Sequence, residues 1–168
     1  MTRHIVRTVV WTAVIALLVG VAGYAQDKIS PVSDYQYKRD YAQYENIKKE
    51  TDLQKKADAL VAFMKEHPIS RMLGYIQADY LATLKPLMDA KDWAKVAAAE
   101  EAFEKLMPTE KSVAAAQVPE PGAGEFIKNV LKPAQKTMQQ SLMAAYFQGN
   151  NMAKAAEIAA EACRIVAF

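Results

Sequence analysis

Apolar residues recur at helical spacing along most of this chain. Tyr37, Tyr41 and Tyr44 stand at i, i+4 and i+7 with Lys and Asp between them, which predicts a helix from about Asp34 to Glu50. Thr51 or Asp52 then caps a second helix, with Ala57, Leu60, Phe63 and Met64 facing inward and Pro68 as its stop. The linker between Glu50 and Asp52 is too short for anything but an antiparallel helix hairpin. A third helix is expected over about Ser70 to Ala90, built on Leu73, Ile76, Tyr80, Leu81, Leu84, Leu87 and Met88. Pro86 predicts a kink or an early end near Lys85, because proline lacks a backbone donor and its ring meets the preceding turn. In the fourth helix Asp92 is the cap, Trp93 is expected to pack back on the previous helix, and Val96, Ala99, Phe103 and Leu106 form the buried face up to Pro108.

From Thr109 to Gly124 the pattern fails. SVAAAQ has room for one short helical turn, and VPEPGAG predicts no regular element. Periodicity returns at Glu125 to Leu131, and Pro133 either kinks that run or occupies the first turn of a new helix. The apolar face of this helix is read as Met138, Leu142, Met143, Tyr146 and Phe147, and Gln148, Gly149 and Asn150 make the next turn. A last helix, Asn151 to about Val166, presents Met152, Ala155, Ile158, Ala159, Ala162 and Ile165. Its apolar end predicts that Ile165 and Phe168 fold back on the rest or are covered by a partner.

The pattern also repeats. Asp52, Leu53, Lys55, Ala57, Phe63, Lys65 and Pro68 stand forty positions before Asp92, Trp93, Lys95, Ala97, Phe103, Lys105 and Pro108. Fifty-nine positions beyond the central copy come Asn151, Met152, Lys154, Ala156 and Arg164. Self-similarity at such a period marks stacked helix pairs, and the irregular segment 109–124 accounts for the longer second interval.

The N-terminus changes the meaning of the composition. Arg3, His4 and Arg7 precede the apolar run Val9 to Ala22, and small residues lead to a cleavage site between Ala25 and Gln26. Residues 1–25 therefore read as a secretory signal peptide and 26–33 as a flexible lead-in, with 34–168 as one helical domain. The expected location is the periplasm or the exterior. An uncleaved anchor is the alternative, since Thr8 to Ala25 carries no charge. Removing residues 1–25 takes away two arginines and no acid, leaving 19 basic against 19 acidic residues. That balance gives no electrostatic case for nucleic acid or an anionic membrane surface. Cys163 is the only cysteine, so the chain folds without an internal disulfide, and its Ala-rich helix predicts a buried, inert thiol.

Candidate chemistry is sparse. Glu100, Glu101 and Glu104 are the one carboxylate cluster, of a kind that acid–base catalysis uses. Their spacing reads as a solvated helix face on which Glu101 pairs with Lys105 at i, i+4. His67 is the only histidine beyond the N-terminal segment and stands at a helix end, so neither a His-based metal site nor a nucleophilic triad is expected. Gly122 and Gly124 lack the lysine of a phosphate loop. No catalytic residue, cofactor or metal site is expected.

Helix pairs whose second members open with Asp or Asn, a large apolar residue and a Lys resemble tetratricopeptide repeats in degenerate form. Pro68 and Pro108 match the family's closing proline, Leu53, Trp93 and Met152 its large residue, and Ala155 and Ala162 its small positions. Tyr44, Leu84 and Met143 stand where the family usually has glycine. The resemblance implies an all-α fold of about three antiparallel helix pairs, six main helices, stacked as a short solenoid. It also implies a non-catalytic scaffold that binds a protein or peptide on its first helices. Carried over by position, the binding residues are Lys38, Tyr41, Glu45 and Lys48, then Leu81, Lys85 and Met88, then Gln140 and Phe147. Two other functions compete: a small-molecule or glycan site on the Tyr37, Tyr41 and Tyr44 face, and a bundle that oligomerises through its last helix.

Overall fold

A computed structural model describes residues 32–116 and 122–166, with side chains up to residue 162. The expectations for the export signal, for residues 26–31 of the lead-in, for residues 117–121 of the irregular segment, for Phe168 and for the side chains of Cys163 and Ile165 lie outside the described residues. Within them all regular structure is helical.

Helix α1 (Asp34–Lys48) starts where the Ser33 hydroxyl accepts the Gln36 amide, and α2 (Leu53–Glu66) where Asp52 accepts those of Gln54 and Lys55. The two form a hairpin. Helix α3 (Leu73–Thr83) packs along α2, and its break at Leu84 precedes the short α4 (Lys85–Asp89) with Pro86 in its first turn. The proline thus ends one helix and opens another, as its missing donor requires. Helix α5 (Trp93–Glu104) is capped by Asp92, and the short α6 (Glu110–Ala115) by a reciprocal Thr109–Ser112 box. The Trp93 Cβ stands 3.2 Å from where a Cβ on Gly149 would lie.

Regular helix resumes earlier than the two glycines predicted. Helix α7 (Gly122–Phe126) runs into a π-helical turn (Ile127–Leu131) and then into α8 (Lys132–Gln148). Pro133 lies in the first turn of α8, and the Lys132 amide reaches back to the Ile127 carbonyl, the wider spacing of a π turn. The wider turn accommodates a proline ring that an unbroken α-helix would force against a carbonyl. Helix α9 (Met152–Val166) folds back along α8, which also packs on α5 and α3.

The core runs through this arrangement without interruption. Leu60, Phe63 and Met64 from α2, Leu73 and Ile76 from α3, Val96 and Phe103 from α5, and Met138 and Leu142 from α8 are fully buried. Tyr80 joins α3 to α5: its ring stacks on Phe103 at 4.2 Å between centroids and its hydroxyl donates to the Ala99 carbonyl at 3.0 Å. Gln77, also buried, donates to the Ala134 carbonyl at 2.9 Å and so ties α3 to α8. The inward face of α8 is Ala134, Met138, Leu142 and Ala145, whereas Met143 and Phe147 point outward.

Two turns are the same turn. Lys91 (φ 57°) and Asn150 (φ 60°) are the described non-glycine residues in the left-handed region. After α4 the Ala90, Lys91 and Asp92 amides donate to the carbonyls of Pro86, Met88 and Leu87 at 3.1, 2.9 and 2.9 Å. After α8 the Gly149, Asn150 and Asn151 amides donate to those of Ala145, Phe147 and Tyr146 at 2.9, 3.0 and 2.9 Å. Each donor and each acceptor is fifty-nine positions from its counterpart. The turn before α2 is built differently, with Glu50 accepting the Thr51 and Asp52 amides on its carboxylate.

Candidate functional site

An opening with polar groups at its edge lies between α3 and the π turn. A cavity of about 410 Å3 has Gly74 and Ala78 on one wall, Pro133 and Ala134 on the other, and Tyr75 standing 61% exposed beside it. A second cavity, about 330 Å3, shares Arg71, Asn129 and Val130 with the first and extends the groove past Phe126 to Val32. Gly74 borders open space, since a Cβ there would meet nothing within 4 Å.

Arg71 marks the junction. Its guanidinium lies 4.5 Å from the centre of the Tyr37 ring and 2.8 Å from the Asp34 carboxylate. The ring attracts the cation over its face, while the exposed ion pair is of the weak, exchangeable kind. A guanidinium has five donors, so Arg71 retains capacity for an acceptor presented in the groove. The exposed Asn129 amide stands across from it. Apolar floor, aromatic wall, guanidinium and amide together suit an extended or helical peptide with an acidic or amide-bearing residue.

Asp40 anchors one side of this region. It is 1% exposed, accepts from the Gln36 side-chain Nε2 at 2.6 Å and from the Ser70 hydroxyl, and stands 3.8 Å from His67 Nδ1. Ser70 Oγ in turn accepts the Met72 amide at 3.1 Å. Ser, His and Asp thus come together, but the hydroxyl is bonded to the carboxylate and not to the imidazole. The cluster holds the 67–72 connection onto α1; it does not activate a nucleophile.

The glutamate cluster corrects the sequence reading. Glu100 is completely buried, with Oε1 accepting the Ser141 hydroxyl at 2.6 Å and Oε2 unpartnered. Glu101 accepts the Tyr146 hydroxyl. The face assigned to solvent is the face on which α8 packs. Burial raises the Glu100 carboxyl above the ordinary range, and the Ser141 bond only partly opposes it. Burial also raises Glu104, helped by the charges of Glu101 and Glu161. Tyr146 is pushed up to about 12 by its bond to Glu101. Glu100 is sealed from solvent within the α5–α8 interface, so its raised carboxyl bears on the packing of those two helices.

The residues carried over by position do not converge. Lys38, Tyr41 and Lys48 are exposed on α1, with half-buried Glu45 paired to Lys48 at 3.1 Å. Leu81 and Met88 are half-buried against the core, and Lys85 is exposed and paired with Asp89 at 2.7 Å. Gln140 and Phe147 are exposed on α8, far along the chain from the first group. Of the tyrosine stripe only Tyr41 is open. Tyr37 lies under Arg71, and buried Tyr44 donates to Asp79 at 3.1 Å, its own ionisation pushed far up by burial and that carboxylate. The stripe is mostly packing.

Arg71 and Asn129 were not singled out by sequence reading. Neither lies on a first-helix face in the repeat frame, and what unites them is the π turn beside α3. Among the described residues no group of three His, Cys, Asp or Glu side chains is placed to hold a metal ion, and no helix is long and apolar enough to cross a membrane. No protein-family model, curated protein or solved structure matches the chain.

Proposed function

We propose that this chain is a non-catalytic, exported scaffold of tetratricopeptide-like helix pairs that binds a protein or peptide partner in the cell envelope. The observation that carries the reading is the continuous groove beside Arg71, Tyr75 and Asn129, open along a glycine and alanine floor. The turn repeated at Lys91 and Asn150 supports descent from one helix-pair unit, and the helix-on-helix order of packing supports a short solenoid. Export rests on the basic and apolar pattern of residues 1–25.

Gly74→Trp tests it. A Cβ there meets nothing within 4 Å and the longer side chain is directed at the groove, and an unchanged melting temperature separates lost binding from unfolding. Envelope extract passed over the immobilised protein should leave a species that the native chain retains and Gly74→Trp does not. Equal retention by both would rule the groove out as the binding surface.

A further inference from the structure

The repeated turn aligns the last helix hairpin with the one before it, residue by residue, and the alignment exposes a difference in burial. Leu84, Val96 and Ala97 are 6%, 0% and 2% exposed, and Trp93 is half-buried. Their counterparts fifty-nine positions on are Met143, Ala155, Ala156 and Met152. Ala155 keeps 7% exposure, but Met143 and Met152 are 36% and 51% exposed and Ala156 is open. Phe147, the counterpart of half-buried Met88, is 55% exposed. These residues line one apolar depression of about 460 Å3.

Inside the chain the earlier version of this surface has an occupant. Helix α8 lies along α5, its end against Trp93, with Ser141 on Glu100 and Tyr146 on Glu101. The open version therefore continues an interface that the fold has already built once. It differs in one chemical respect: Ala159 and Ala160 stand where Glu100 and Glu101 take those two hydroxyls.

We infer that the α8–α9 hairpin is a seat for an amphipathic α-helix from a partner protein, with small and aliphatic residues spaced as in α8 but no hydroxyls at the Ser141 and Tyr146 positions. A hydroxyl set against Ala159 or Ala160 would lose water and gain no acceptor, so the seat discriminates against helices of the α8 type itself. The inference rests on the scaffold reading only in treating the chain as a binder of polypeptide, and it concerns a different surface from the groove.

The probe is a synthetic peptide of residues 132–148 carrying Ser141→Ala and Tyr146→Phe, titrated calorimetrically into the whole protein beside the peptide of native sequence. The expected result is saturable binding of the apolar peptide, roughly tenfold tighter than the native one. Ala156→Arg and Phe147→Glu, both on exposed positions and checked for unchanged melting, should abolish that binding, whereas Gly74→Trp should leave it intact. Absence of binding, or binding indifferent to Ala156→Arg and Phe147→Glu, would overturn the inference. So would light scattering that shows a dimer broken by Ala156→Arg, since a second copy would then be the occupant. Loss in Gly74→Trp alone would assign the peptide to the groove and sink the seat while sparing the scaffold reading.

Discussion

Lys91 and Asn150 occupy the same left-handed position of the same three-bond turn, fifty-nine residues apart. Asparagine tolerates this conformation because its short polar side chain adapts to it, whereas lysine meets the full clash of its Cβ with the backbone. The two turns are alike in hydrogen bonding and unlike in strain.

Glycine should relieve the strain unequally. Lys91→Gly is expected to stabilise the fold by about 1 kcal/mol and Asn150→Gly by roughly half of that or less. Urea titrations of the two variants measure the difference. A destabilised Lys91→Gly would show that the side chain makes a contribution larger than the strain.

Phe63 and Phe103, forty positions apart, are both fully buried. Phe63→Ala and Phe103→Ala should each cost roughly 3 to 5 kcal/mol, the loss of a packed ring plus its cavity. Chemical denaturation tests this. One neutral variant would break the equivalence of the two positions.

Glu100 makes stability depend on pH in a stated direction. Its carboxyl is raised in the folded protein, so the folded state holds the proton where the unfolded chain has released it. The fold is thus favoured below the ordinary carboxylate range and loses that advantage as pH rises through the elevated value. Glu100→Gln should flatten this part of the profile and raise the melting temperature at neutral pH. Melting curves from pH 4 to pH 8 decide it, and an unchanged profile would exclude Glu100 as the source.

What the sequence disclosed was local. Asp52, Asp92 and Pro86 act on their own neighbours within a turn, and the caps and the break stand where those residues predict. The inward positions Leu60, Phe63, Val96 and Phe103 were legible because one side of α2 and of α5 is plainly apolar. Glu100, Met143 and Phe147 were misread for a common reason. The exposure of each depends on which face of α8 meets α5, and the periodicity within a single helix does not register that pairing. Arg71 and Asn129 were missed because the groove exists only once the π turn lies beside α3.

That turn also fixes where the length of this chain is negotiable. Deleting a residue elsewhere in a helix swings every later side chain by roughly 100° and turns a core face outward. Deleting one from Ile127–Leu131 returns the backbone to ordinary α spacing, so Met138 and Leu142 keep their bearing. The obstacle is Pro133, whose ring the tighter turn would no longer clear. Removal of Asn129 together with Pro133→Ala should therefore melt close to the native chain, while removal of Asn129 alone melts far lower. The proline and the surplus residue behave as a single insertion event, tolerable as a pair and costly apart.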